Sequence, residues 1–320
     1  MEMPPTTDKD PSPYLTFHFA GQLCLYSLMC IIWGASFFFT RLALASFNPV
    51  TIPTLRMGIA SLVLALVVIY RRLPWPRSTR LWLHLFILGV FNIALPYVLL
   101  TWAQTRVNSS TASILSATTP LFVFLFSWLV VRTERFSLLR AIGLLLAFAG
   151  ITFLYGFERG LGSDLGPWSL VIVICSMFYA AGNVYTRRFV TDVHPFVIAL
   201  LQIGFGTIDL ICFGLMTKTL TIPVPTLPAF LAIAELGLAG SALTYVLFFY
   251  FIQIWGSTVT SINTYFQPLV GISLGVFALH ETLHPSGWLA LGMVLIGVML
   301  FGVGSVLSRR RASHRGSVKV

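Results

Sequence analysis

Apolar runs of about twenty residues recur along the whole of this 320-residue chain, and each is long enough to cross roughly 30 Å of hydrocarbon as a helix. Hydrocarbon supplies no partner for a backbone N–H or C=O, so runs of this kind close their hydrogen bonds within themselves. Composition agrees: 57% of residues are hydrophobic and only 9% are charged, where a soluble domain carries about 25% charged residues. The mean hydropathy is +0.88. Water cannot be the main solvent. Punctuation by charge, proline and glycine predicts spans near 22–45, 50–70, 81–103, 108–131, 137–155, 167–187, 195–216, 228–252, 257–279 and 286–307. The expected fold is an all-α integral membrane protein of ten transmembrane helices in a lipid bilayer.

The net charge of +10 does not point to nucleic acid, because the cations sit in short clusters between apolar runs, as topology determinants do. With the N-terminus in the cytoplasm, fifteen cations fall on inner segments, among them Arg71, Arg72, Arg77, Arg80, Arg187, Arg188 and Arg309 to Arg311. Four fall on outer ends: Arg41, Arg106, Arg159 and Lys218. Both termini are therefore expected in the cytoplasm. Cys24, Cys30, Cys175 and Cys212 lie inside apolar runs without Cys-x-x-Cys spacing, which reads as packing rather than zinc or redox chemistry. The polar segment Met1 to Pro13 has no small-residue cleavage site behind it, so the first span is expected to stay in the protein.

The two halves of the chain overlay. Trp33-Gly-Ala-Ser-Phe-Phe-Phe-Thr-Arg41 aligns with Tyr179-Ala-Ala-Gly-Asn-Val-Tyr-Thr-Arg187, and Pro49 with Pro195, at an offset of 146 residues. Tyr97-Val-Leu matches Tyr245-Val-Leu and Pro120 matches Pro268 at 148, while Glu134 matches Glu281 and Gly150 matches Gly297 at 147. Each half holds five spans, and five is odd, so the second half enters the membrane from the opposite side. The expected organisation is a polar tail over 1–21, one five-helix repeat over 22–155, its inverted copy over 167–307 and a basic tail over 308–320. Such halves can open a midplane site to either face by rocking.

These residues resemble the drug/metabolite transporter superfamily, in its EamA-type branch of ten-helix proteins. The resemblance covers nearly the whole chain after the polar tail. It rests on Trp33-Gly34 with Phe37, on Pro53 and Arg56, on Ala112-Ser-Ile-Leu-Ser-Ala-Thr-Thr-Pro120 followed by Glu134 and by Gly143 to Gly150. In the second half it rests on Ser261-Ile-Asn-Thr-Tyr-Phe-Gln-Pro268, Glu281 and Gly297. It implies export or exchange of small metabolites such as amino acids or related amines across a bacterial inner membrane, by a monomer or a homodimer. Two positions depart from the pattern: Gln202 stands where the repeat would place a second Arg56, and His280 replaces a small residue before Glu281.

Polar side chains inside spans are costly and tend to face a bundle interior or a water-filled path. Trp33, Ser36, Asn92, Ser113, Ser116, Tyr179, Asn183, Asn263 and Gln267 are the expected cavity residues. Tyr97, Tyr245 and Tyr265 add rings suited to an aromatic solute or an ammonium. Pro96, Pro120 and Pro268 interrupt helical bonding and could free carbonyls for a solute. Arg56, Asp209 and Glu235 are ionisable groups within spans, all in the outer third on this topology, where Arg56 could pair with one carboxylate while the other exchanges a proton with the transport cycle.

His280-Glu281-Thr-Leu-His284 spells the H-E-x-x-H zinc-protease pattern, which needs both histidines on one helical face. Pro285 follows at once and the segment falls between spans, so a metalloprotease is the weaker reading. No phosphate loop or nucleophile elbow occurs, and no cofactor is expected. The sequence reads as a carrier, not an enzyme.

Overall fold

The computed structural model describes residues 19–131, 138–160, 165–190, 193–221, 223–260, 263–281 and 285–316. Every regular element among them is helical. In chain order these are α1 (Phe19–Ala43), α2 (Thr51–Tyr70), α3 (Thr79–Ala103), α4 (Ser109–Leu129), α5 (Leu138–Gly160), α6 (Leu165–Phe189), α7 (Pro195–Met216), α8 (Leu227–Phe248), α9 (Asn263–Ala278) and α10 (Pro285–Gly316). Seven of them, α1 to α4 and α6 to α8, are long and apolar enough to cross a membrane, and shorter apolar stretches occur at Ala141–Gly150, Phe266–Ala278 and Pro285–Gly297.

The boundaries that differ most from those expected are the ends of α8 and α10. Helical backbone continues from α8 to Thr260, so residues 257–260 extend that helix instead of opening the next. Phe251 and Trp255 explain the extension, since both pack on Tyr26 of α1 and the Trp255 indole donates to Gln22 Oε1 at 3.2 Å. At the other end α10 runs on to Gly316 instead of stopping near 307. Its arginines are good helix formers, and no glycine or proline intervenes between Gly304 and Gly316.

Equivalent positions in the two halves do equivalent structural work. α2 and α7 both end in a Schellman turn, with Arg72 and Lys218 in the left-handed region at φ 49° and 54°. In each, the next residue donates back over the turn, Leu73 to Val68 and Thr219 to Gly214. α3 and α8 each contain a π-helical segment, Gly89–Ala94 and Leu238–Leu243. A Cβ on Gly89 would fall 2.6 Å from Phe205 Cβ, and one on Gly237 would fall 2.7 Å from Ile59 Cβ. These are the same contact made twice, once by each half upon the other.

The close packing of α5 on α10 follows the same rule. A Cβ on Gly150 would lie 2.9 Å from Met293 Cβ, and one on Gly297 would lie 2.5 Å from the Gly143 carbonyl. Backbone therefore meets backbone along this pair. In a membrane such small-residue contacts hold helices together, because lipid tails are as apolar as leucine and give no hydrophobic drive.

One ionised group ties the halves together outside the spans. The Glu281 carboxylate accepts from the backbone N–H and the hydroxyl of Ser109, both at 2.9 Å, and from those of Ser110 at 3.0 and 2.7 Å. It thereby caps the N-terminus of α4, whose first N–H groups have no partner within the helix. Burial pushes the carboxyl up, but the four bonds from Ser110 and Ser109 outweigh it and hold the group below the usual glutamate range. Glu134, its expected counterpart, lies outside the described residues, as do Ser261 and His284.

A depressed carboxyl stabilises the fold above its unfolded value, and that contribution disappears as pH falls through the folded value. Thermal unfolding in detergent should therefore show an acid-side loss of stability that Glu281→Gln removes. The variant should also be less stable at neutral pH by on the order of 1–3 kcal/mol, because an amide turns donors toward donors. Gly297→Ala should destabilise by a similar amount, roughly 1–3 kcal/mol, since the group it strikes is a backbone carbonyl that cannot rotate away.

Candidate substrate site

Arg56 organises the centre. It lies on the second turn of α2 and is only 5% exposed, yet it carries a full charge inside a membrane span. Its Nε donates to Ser241 Oγ at 2.7 Å, and one terminal nitrogen donates to the Gly240 carbonyl at 2.9 Å and to Ser36 Oγ at 3.4 Å. Ser241 and Gly240 belong to the π-helical segment of α8. A π turn is wider than an α turn and pushes carbonyls off the regular ladder, which is why such segments collect at functional sites. The guanidinium also stands 4.9 Å from the Tyr97 ring centroid, in cation–π geometry.

An aromatic group surrounds this cation. Tyr97 meets Tyr179 edge-on at 5.7 Å. Tyr245 meets Trp33 edge-on at 5.8 Å, and Trp33 leans on Phe248 at 5.2 Å. Four helices thus deliver Trp33 and Ser36 (α1), Tyr97 (α3), Tyr179 (α6) and Tyr245 (α8) to one place, as expected for them.

On the opposite half, Gln202 occupies the position equivalent to Arg56, 146 residues on. Gln202 Oε1 accepts from Asn92 Nδ2 at 3.3 Å, and Asn92 sits in the π-helical segment of α3. Gly182 of α6 packs directly against the Asn92 side chain, whereas a Cβ on Gly240 would lie 3.2 Å from Ser36 Oγ. The two crossings share one architecture. One carries a cation and the other a neutral amide.

The remaining expected residues are placed otherwise. Ser113 is fully buried, donates to the Ser110 carbonyl at 2.7 Å and packs on Gly271, so it joins α4 to α9. Ser116 offers its carbonyl to the Thr119 hydroxyl at 2.9 Å, and Leu115 does the same for Thr118 at 2.7 Å. The carbonyls loosened before Pro120 are therefore taken by these threonines and are not free for a solute. Asn183 is exposed on α6. Asn263 is fully buried with both amide atoms unpartnered among the described residues, and Gln267 lies on α9, where its carbonyl faces Gly34 of α1. Tyr265 falls on α9, with its side chain outside the described set.

Arg56 forms no ion pair with Asp209 or Glu235 among the described residues; its donors go to Ser241, Gly240 and Ser36 instead. Glu235 still lies within electrostatic reach of Arg56, with Oε2 buried and unpartnered. Asp209 likewise buries Oδ2 without a partner. In the H-E-x-x-H segment, His280 has a left-handed backbone at φ 53° and Glu281 is committed to Ser109 and Ser110, while His284 lies outside the described residues.

Gly240 and Ser241 were not expected at the site. A repeat alignment offers the signal that would have found them, since they stand 148 residues after Asn92 and Ile93.

Comparison with known proteins accords with this arrangement. The chain matches the EamA-like transporter family over residues 21–156 and again over 166–303. It is 29% identical over 292 residues to the inner membrane transporter YedA of Escherichia coli K12, covering 90% of this chain and 92% of YedA. It is 25% identical to the transporter YvbV of Bacillus subtilis, covering 91% and 94%, and 27% identical to the protein PecM of Dickeya dadantii, covering 88% and 92%. A chain solved by crystallography superimposes with a TM-score of 0.61 at 19% identity, covering 90% of this chain and 99% of that one, which is a likeness of fold. With two matches that together span most of its length, the chain belongs to the EamA-like transporter family, and it is a membrane transporter protein.

Proposed function

We propose that this chain is a secondary carrier for small organic metabolites, amino acids or related amines, working by alternating access between two inverted five-helix halves. The observation that carries the reading is the pair of crossings at the centre: Arg56 upon Gly240 and Ser241, and Gln202 upon Asn92. Each half reaches into a π-helical segment of the other, and a solute bound among them would feel both halves at once. Arg56 offers a cation to a carboxylate, and Tyr97, Tyr179, Tyr245 and Trp33 offer faces to an ammonium or a ring.

The capping of α4 by Glu281 supports the inverted topology. Ser109 opens the fourth helix and Glu281 follows the ninth, so both fall on one membrane face when successive helices alternate direction. That face is the outer one if the termini are cytoplasmic, as the distribution of cations favours. The setting is the inner membrane of a bacterium, in keeping with the relative YedA.

Glu235 and Asp209 are candidates for proton coupling, because each buries a carboxylate oxygen that accepts no hydrogen bond among the described residues. Glu235 is the better placed, being within reach of the Arg56 charge. A carboxyl that releases its proton beside that cation would couple proton movement to the arrangement of α8.

The test is counterflow in proteoliposomes with radiolabelled amino acids and organic amines, with and without an imposed proton gradient. Saturable exchange is expected. Arg56→Lys keeps the charge but loses the planar fork, and should lower the flux about tenfold, the equivalent of ~1.4 kcal/mol. Trp33→Ala should abolish it, whereas Asn183→Ala, at an exposed position, should leave it unchanged. Glu235→Gln should remove stimulation by the proton gradient while counterflow persists. Gradient-driven uptake that survives both Glu235→Gln and Asp209→Asn would end the coupling proposal, and absence of saturable flux for every solute class would end the carrier proposal.

A further inference from the structure

A cavity of about 520 Å³ lies away from the Arg56 cluster, between α2 and α7. Gly58, Ser61 and Ala65 of α2 and Gly204 of α7 line it, together with Trp75 and Trp82. The size is that of a small-ligand pocket. The walls are apolar in effect: Thr207, which also borders the cavity, gives its hydroxyl to the Ile203 carbonyl at 2.8 Å and turns its methyl toward Gly58. An added Cβ at Gly204 would meet Ser61 Oγ at 3.4 Å and one at Gly58 would meet Thr207 Cγ2 at 3.8 Å, so the two helices meet at ordinary contact distance there and the slot runs along their seam rather than through it.

The tryptophans are placed by the Schellman turn that ends α2, with Arg72 at φ 49°. This turn returns the chain after α2 so that Trp75 stacks on Trp82, with centroids 6.3 Å apart and planes at 5°. The Trp82 indole donates to the Pro76 carbonyl at 3.0 Å and its ring abuts Phe205 of α7. Indole rings of this kind settle at the depth of lipid headgroups. Arg71, Arg72, Arg77 and Arg80 flank the tryptophans in sequence and are all exposed.

We propose that this slot binds an anionic phospholipid, with an acyl chain lying between α2 and α7 against Gly58, Ser61, Ala65 and Gly204, and with the phosphate held by the arginines around Trp75 and Trp82. A basic cluster beside a helix end, next to an apolar cleft between membrane helices, is the arrangement that recognises anionic headgroups. The occupant is committed by charge: a zwitterionic lipid would fill the slot equally well but gain nothing from four arginines. Because α2 carries Arg56 on its outer part and the slot on its inner part, the bound lipid would bear on the helix that organises the centre.

Native mass spectrometry of the detergent-purified full chain, titrated with phosphatidylglycerol or phosphatidylcholine, tests this directly. One phosphatidylglycerol should be retained at least tenfold more tightly than phosphatidylcholine. Arg77→Gln with Arg80→Gln should erase that preference while leaving weak binding of both lipids, since neither arginine lines the slot. Gly204→Leu, which fills the slot without striking backbone, should abolish retention of both, and an unchanged melting temperature separates loss of the site from loss of the fold. Equal retention of the two lipids by the unaltered protein would overturn the proposal. So would retention unaffected by Gly204→Leu, or a dimer of the chain that dissociates in that variant and shows a second copy to be the occupant.

Discussion

A single charge without access to water sets the terms for the centre of this protein. Arg56 is 5% exposed within an apolar helix, and removing the partners of such a buried charge costs about 3–5 kcal/mol. The guanidinium cannot be deprotonated, so the surroundings must supply acceptors. None of the neighbouring helical backbone in α2 can do so, because its carbonyls are occupied by their own ladder. The supply comes from the other half, where the π-helical turn at Leu238–Leu243 presents the Gly240 carbonyl and the Ser241 hydroxyl. Glycine at 240 also lets Ser36 of α1 approach. The irregular turn, the glycine and the cation form one structural unit, and each is costly without the other two.

The equivalent crossing in the opposite direction keeps the backbone solution and changes the chemistry. Gln202 replaces the arginine and Asn92 replaces the glycine, so a neutral amide pair fills the volume. Small and large exchange places as well: Ser36 faces Gly240 on one side, and Gly182 faces Asn92 on the other. The total volume is conserved while the charge is confined to one half, which is how a duplicated scaffold acquires a polar centre with a direction. Fold and site are thereby separable, since the packing glycines at 89 and 237 serve the scaffold equally while the polar groups at the two crossings differ.

Much of this was legible in the residues. Hydrocarbon length gave the all-helical membrane fold, because backbone satisfaction in lipid leaves little choice of secondary structure. Trp33, Ser36, Tyr97, Tyr179 and Tyr245 do come together in the structure, since polar or aromatic positions near the middle of different spans converge in a bundle. Ser113, Ser116 and Asn183 were not, because one turn of a helix separates a face that meets a neighbour from one that meets a cavity, and no span position fixes that rotation. The Arg56 partners were missed for a related reason. A serine and a glycine carry no signal alone; they matter only because a π-helical segment, invisible to periodicity, turns them inward. Thr118 and Thr119 similarly reclaim the carbonyls that Pro120 loosens, a local repair that residue types suggest only in hindsight.

The contacts between the halves also differ in how readily they can be broken, and this bears on which of them a moving carrier would use. Along α5 and α10 the contacts are backbone against backbone, at Gly297 with Gly143 and at Gly150 with Ala290, and they are lost in full by a displacement of one side-chain radius. Such a pair acts as a fixed seam. The Glu281 cap is of another kind: four hydrogen bonds converge on one carboxylate outside the spans. Water is close enough there to replace each bond as it leaves, so opening costs only the net worth of those bonds and not a buried charge. The two kinds of contact therefore resist separation differently, the α5–α10 seam by the fit of backbone on backbone and the Glu281 cap by bonds that water can replace.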